Sequence, residues 1–169
     1  MEGDNKMYTE INGTDKKIKE SEISSNEEGE FFLDEARKIL LVEDDEINIK
    51  YITSIIKVKG LFCVCDIANN GKMAFEMAYE DTYDLILMDC RMPVLDGYES
   101  TKLIRKINER YANIPIIGVT AYAHEYYLEK CLASGMDEYI VKPFSVEQIT
   151  DIILKYIDFK AKSRVLVSI

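Results

Sequence analysis

The strongest constraint on this chain is a fivefold alternation that begins at Arg37. Five short apolar runs, Lys38–Val42, Leu61–Ile67, Leu85–Met88, Pro115–Val119 and Glu138–Val141, each end in polar or acidic residues. Their length and composition predict buried strands. Between them lie stretches with apolar residues at three-to-four spacing, which predict amphipathic helices. These are Ile47, Tyr51, Ile55 and Val58; Ala74, Met77 and Ala78; Leu103, Ile104 and Ile107; Leu128 and Leu132; and Ile149, Ile152, Ile153 and Tyr156. Gly60, Gly71, Gly97 and Gly135 punctuate the joins. Ser145 with Gln148 three residues on predicts a capping box at the last helix. Strand and helix in strict alternation imply a parallel sheet covered by helices on both faces. Right-handed crossovers then make the order 2-1-3-4-5 the natural topology for a doubly wound five-stranded sheet.

That α/β architecture, a flavodoxin-like three-layer sandwich, binds ligands outside the carboxyl ends of its strands, at the switch point between strands 1 and 3. The residues just after each run are therefore the ones to weigh. Strand 1 ends in Glu43-Asp44-Asp45-Glu46, strand 3 in Asp89, strand 4 in Thr120 and strand 5 in Lys142. Strands 1, 3, 4 and 5 are neighbours in this order, so their ends form one pocket. Acidic residues after a strand often do no more than face a helix N-terminus. That suits Asp45 and Glu46. It does not suit Asp89, which follows four apolar residues and precedes Cys-Arg-Met-Pro. Clustered carboxylates repel, and a divalent cation relieves the repulsion. Oxygen ligands without His or Cys select Mg²⁺, with Mn²⁺ as the alternative. Such an ion keeps room for phosphate oxygens, Lys142 supplies a positive charge and Thr120 a hydroxyl. Asp89 is then the nucleophile of an in-line phosphoryl transfer, forming an aspartyl-phosphate.

The rest of the chain limits the alternatives. Residues 1–36 carry 11 acidic and 4 basic side chains, whereas the remaining 133 residues are nearly balanced at −3 of the total −10. A non-periodic segment rich in Glu, Lys, Asn, Ser and Gly cannot bury enough apolar area to offset ordering entropy, so 1–36 is expected to be an acidic flexible leader or linker. Ile18, Ile23, Phe31, Phe32 and Leu33 are apolar exceptions, and a short helix near 30–36 that docks on the domain is entertained. Residues 37–157 form the folded domain, and 158–169 a short C-terminal extension. No basic face is evident, which argues against direct nucleic acid binding. No apolar run is long enough to insert in a membrane, and no secretory signal opens the chain, so a cytoplasmic protein is expected. Cys63, Cys65, Cys90 and Cys131 lack metal-ligand spacing and read as packed, reduced thiols. The lone histidine, His124, begins a helix without a second ligand near it.

Four segments now carry a resemblance: ILLVEDDEIN at 39–48, LILMDCRMPVLDGYE at 85–99, IIGVTAYA at 116–123 and GMDEYIVKPF at 135–144. In order and spacing they resemble a response-regulator receiver domain, with phrases closest to the receivers of hybrid histidine kinases. The resemblance implies phosphorylation of Asp89, with Glu43, Asp44, Asp89 and the backbone carbonyl of Arg91 around Mg²⁺. It implies Thr120 as switch hydroxyl, Tyr139 as switch aromatic and Lys142 before a cis proline. It further implies that on phosphorylation Thr120 moves toward the phosphoryl group and Tyr139 turns inward, which reshapes a protein-binding face. By the same resemblance Arg91 and Tyr122 fall at positions that in receivers tune phosphoryl lifetime, and their bulk predicts slow autodephosphorylation. The implied partners are a histidine kinase and a His-containing phosphotransfer protein. The chain is expected to be no enzyme beyond catalysing its own phosphorylation and dephosphorylation, and the sequence specifies no oligomeric state. With 12 residues after Ile157, it reads as a free single-domain regulator or as the C-terminal receiver of a hybrid kinase.

Three rivals are weaker. A flavodoxin-type FMN carrier needs a phosphate-cradling loop where four acidic residues stand. A haloacid-dehalogenase-like phosphatase wants an Asp at position 91, which is Arg. A phosphorylation-independent pseudo-receiver usually lacks one of Asp44, Asp89 or Lys142, and all three are present.

Overall fold

The computed structural model describes residues 23–25, 31–34, 37–61, 63–157 and 164–166, and the chain divides into two compact units. One unit contains β1 (Ile23–Ser25), β2 (Phe31–Asp34) and β8 (Arg164–Leu166), an antiparallel sheet of order β1-β2-β8. The short helix entertained at 30–36 is therefore a strand over 31–34. Aromatic and branched residues favour extended backbone, and here two antiparallel partners supply the hydrogen bonds. The rest of the expected leader and of the C-terminal extension lies outside the described residues.

The other unit holds the expected parallel sheet: β3 (Arg37–Val42), β4 (Cys63–Ala68), β5 (Leu85–Asp89), β6 (Ile116–Thr120) and β7 (Glu138–Val141). Their spatial order β4-β3-β5-β6-β7 is the doubly wound order 2-1-3-4-5. Every residue of the central strands β5 and β6 is buried, as expected of strands covered on both faces. Alternate residues feed two separate cores. Ile39, Leu41, Leu85 and Leu87 pack against α1 (Glu46–Val58) and α6 (Val146–Tyr156). Leu40, Val42, Ile86 and Met88 face α2 (Gly71–Glu80), α3 (Gly97–Ile104), α4 (Glu109–Asn113) and α5 (Glu125–Ala133).

Three helices differ from the expected pattern. In α1 the buried residues are Ile52, Ile55 and Ile56, while Ile47 is 75% and Val58 83% exposed. Two interleaved apolar series share Ile55, and only the sheet decides which turns inward. In α5 the inward residue is Cys131 rather than Leu132, which is exposed. The third crossover is two helices, not one. It breaks after Ile104 and restarts at Glu109, where Asn108 caps α4 through Tyr111 N at 3.1 Å. The capping box at α6 is present, Ser145 N donating to Gln148 Oε1 at 2.8 Å and Gln148 N to Ser145 Oγ at 3.2 Å.

Below the sheet, at the end where β6 and β7 begin, Arg105 collects four acceptors. Its guanidinium donates to the carbonyls of Gly135 (2.8 Å), Tyr111 (3.0 Å) and Ile114 (2.6 Å) and to Asp137 Oδ2 (2.7 Å). Asp137 Oδ2 also accepts from Ile116 N at 2.8 Å. No helix among the described residues is long and apolar enough to cross a membrane.

Candidate functional site

The parallel register delivers the expected residues to one end of the sheet. Asp89 pairs with Val119 across β5 and β6, and Thr120 with Val141 across β6 and β7. Glu43 prolongs β3 by one residue, its N–H donating to Ala68 O at 3.0 Å, so it is only 1% exposed. Asp44 then turns out to solvent. Asp45 is the N-cap of α1, its Oδ1 accepting from Ile47 N (2.8 Å) and Asn48 N (3.0 Å). Its carboxylate is committed to helix capping, as the helix-terminus reading expected.

Carboxylate oxygens of Glu43, Asp44 and Asp89 lie within 4.8 Å of one another. Lys142 Nζ sits between the two buried members, 2.7 Å from Glu43 Oε2 and 2.5 Å from Asp89 Oδ2. The other Asp89 oxygen accepts from Arg91 N at 2.9 Å. Burial raises the Glu43 carboxyl above its ordinary range, and the neighbouring Asp89 charge adds to this. The hydrogen bonds from Lys142 and Asn48 oppose the rise without cancelling it. Burial alone would lower Lys142, but hydrogen bonds to Asp89 and Glu43, with their negative charge, hold it above 10.5. The ammonium therefore stays charged and keeps the carboxylates together. The Lys142–Pro143 peptide is cis, as the resemblance implied.

Thr120 is fully buried and its Oγ1 accepts from Tyr122 N at 3.1 Å. Tyr139, on the edge strand β7, is half-buried against the core and lies opposite Gly118 of β6. Arg91 stands over the Tyr122 ring, Cζ 5.4 Å from its centroid, and Tyr122 stacks on Tyr127 at 4.6 Å. The loops after β5 and β6 thus touch beside Asp89. His124 is the N-cap of α5, its Nδ1 accepting from Tyr126 N at 3.3 Å.

Two residues were not assigned to the site from sequence. Asn48 Nδ2 donates to Glu43 Oε1 at 3.1 Å and fixes that carboxylate from the first turn of α1. Gly97 lies against the backbone of Asp89, where a Cβ would collide with the Asp89 carbonyl oxygen and approach Met88 Cγ to 2.9 Å. The only available signal for Gly97 was an Asp-Gly step before a helical stretch, which marks a helix start without revealing what it abuts. The donor set of three convergent carboxylates, all oxygen, fits a hard divalent cation such as Mg²⁺.

With this geometry in view, the relatives are informative. Residues 39–154 match the family model of the response regulator receiver domain. The chain is 36% identical over 122 residues to hybrid signal transduction histidine kinase B of Dictyostelium discoideum, covering 66% of this chain and 6% of that protein. It is 37% identical over 145 residues to histidine kinase 5 of Arabidopsis thaliana, covering 71% of this chain and 16% of that protein. The chain thus spans a small fraction of the length of the curated relatives it matches. Among solved structures, it resembles the receiver domain of sensor histidine kinase PA1611 from Pseudomonas aeruginosa PAO1. That likeness has a TM-score of 0.66 and 38% identity, covering 72% of this chain and 98% of that one, and that structure has a magnesium ion coordinated in its active site cleft. The receiver domain of Saccharomyces cerevisiae Ssk1, co-crystallised with the histidine phosphotransfer protein Ypd1, is 27% identical with a TM-score of 0.65, covering 73% and 90% of the two chains. From the match over 39–154, the chain belongs to the response regulator receiver domain family.

Proposed function

We propose that this chain is a phosphorelay receiver that takes a phosphoryl group from a phosphohistidine onto Asp89. The observation that carries this reading is the position of Asp89, bonded to the Lys142 ammonium and convergent with the Glu43 and Asp44 carboxylates. In the transfer a carboxylate oxygen of Asp89 forms the new bond to phosphorus as the phosphorus–nitrogen bond to the donor imidazole breaks. Lys142 follows the developing charge onto a phosphoryl oxygen. Thr120 Oγ1, now bonded to Tyr122 N, turns to a second phosphoryl oxygen, and Tyr139 fills inward behind it. Glu43, Asp44, Asp89 and the Arg91 carbonyl would hold Mg²⁺, which when bound shields the negative charge of the incoming phosphoryl group. The magnesium in the related PA1611 receiver supports that assignment.

The donors on this reading are a histidine kinase and a His-containing phosphotransfer protein. Hybrid kinases are among the relatives, and Ssk1 offers the precedent of a receiver bound to such a protein. Residues 37–157 act as the receiver, in the cytoplasm, with 1–36 as an acidic leader and 158–169 as an extension. The domain acts on no substrate other than its own phosphoryl group. The test is incubation with Mg²⁺ and a small-molecule phosphodonor, read by intact mass. One phosphoryl addition is expected, sensitive to EDTA and absent in Asp89→Asn. Equal labelling of Asp89→Asn would remove the basis of the proposal.

A further inference from the structure

The residue after Asp89 has no part in that chemistry. Cys90 is fully buried, as is Cys131 on α5, and their Sγ atoms stand 3.4 Å apart. The space for them is made by Gly118 of β6. A Cβ there would lie 3.4 Å from Cys90 Sγ, 3.3 Å from Cys131 Sγ and 2.7 Å from Met136 Sδ. The hydroxyl of Tyr98, also buried, has no hydrogen-bond partner among the described residues. Burial and the two adjacent thiols push that phenol up. The result is a sulfur-lined recess joining the last residue of the Asp89 strand to a helix that buries one side chain, Cys131.

We propose that Cys90 and Cys131 are a redox-sensitive pair that a peroxide converts to a reversible disulfide, fastening α5 to the end of β5. One thiol gives an electron pair to the peroxide, whose oxygen–oxygen bond breaks to leave a sulfenic acid and one water. The second thiol attacks that sulfur, expelling the oxygen as a second water. The thiols together lose two electrons and two protons, and a thiol reductant reverses the change. Bond formation draws the sulfurs from 3.4 Å to about 2.05 Å, a movement that a thinly anchored helix accommodates. The same thin anchoring admits the oxidant, because α5 opens locally at low cost. The hydrogen bond with Cys90 lowers the Cys131 thiol while raising that of Cys90, whereas burial pushes Cys63 and Cys65 up to about 11 and about 12, so Cys131 is the thiol placed to meet the oxidant first. Resting on the receiver reading, the consequence is regulatory. α5 joins β6, which carries Thr120, to β7, which carries Tyr139, so a cross-link there holds the switch in one arrangement.

The test uses the whole chain. Hydrogen peroxide treatment, alkylation of the remaining thiols and a non-reducing digest should give one linked peptide pair containing Cys90 and Cys131. The same pair should appear in the Cys63→Ser/Cys65→Ser double variant and be missing from Cys131→Ala. In the oxidised protein, amides 125–134 should exchange with solvent about tenfold more slowly. A bond involving Cys63 or Cys65, or oxidation to sulfinic acid without a linked pair, overturns the proposal. A linked pair with unchanged exchange overturns the fastening of α5. Should Cys131→Ala fail to fold, the map of the wild-type chain decides alone. Cross-linking is read without any phosphodonor, so its failure is distinct from a failure of Asp89 to be phosphorylated.

Discussion

Replacing Lys142 by Met removes the ammonium between Glu43 and Asp89 while a flexible apolar stem keeps the packing. The two carboxylates, with oxygens within 4.8 Å, then face each other without a counter-charge. At an effective dielectric constant of about 20 their repulsion is at least about 3.5 kcal/mol. The folded protein escapes by keeping Glu43 protonated. From its ordinary value of 4.5, that costs about 3.4 kcal/mol at pH 7 and about 0.7 kcal/mol at pH 5. The two routes set a ceiling of about 3 kcal/mol of destabilisation at pH 7, since Glu43 is already raised in the wild type, falling below about 1 kcal/mol at pH 5. The sign follows from Glu43, whose folded pKa is already raised by burial and rises further without Lys142. A raised acid adds stability at low pH, and this is lost as pH climbs through the folded value. Urea unfolding of both proteins in EDTA, at the two pH values, measures the difference directly. A loss that is equal at pH 5 and pH 7, or absent at pH 7, would refute the reasoning. Saturating Mg²⁺ at pH 7 should recover most of it, since the cation replaces the missing charge.

Other substitutions separate roles that look alike in sequence. Asp44→Asn should weaken Mg²⁺ binding tenfold or more by titration, on the order of a lost charged ligand. Asp45→Asn should leave that affinity and, because Asn also caps, change stability by only a few tenths of a kcal/mol. Val94 has φ 73°, where a branched residue is strained, so Val94→Asn should raise stability by about 1 kcal/mol in thermal unfolding. Gly97→Ala should cost about 2 kcal/mol or more and impair phosphorylation, because its Cβ strikes the Asp89 carbonyl. Arg91→Ala should speed autodephosphorylation several-fold in a phosphate-release assay, by opening the contact with Tyr122 beside Asp89.

The sheet and its site were legible because both depend on position along the chain. A buried parallel strand needs a run of apolar residues, and whatever follows that run must emerge at the ligand-binding edge. Glu43, Asp89, Thr120 and Lys142 could therefore be brought together without coordinates. The faces of α1 and α5 were not legible, because each helix carries two apolar series and the choice is made by the sheet it meets. Asn48 and Gly97 were hidden for another reason. Each acts through a hydrogen bond or a close backbone approach that exists only once the chain has folded, which no local pattern records. Asp45 shows the reverse. Its place just before a helical stretch already marked it as facing a helix N-terminus, and its bonds to Ile47 N and Asn48 N spend its charge there.

Arg105 gives the domain a clamped end and a free end. By holding Gly135, Tyr111, Ile114 and Asp137, with Asp137 in turn on Ile116, it locks the starts of β6 and β7 together. The two strands then behave as cantilevers rooted at one end of the sheet, with Thr120 and Lys142 at their tips. A displacement at either tip cannot slide the strand lengthwise through the protein. It is converted to bending, which is greatest at the tips and at the α5 connection between them. Loosening the root, as Arg105→Ala would, lets the same displacement dissipate as rigid-body drift.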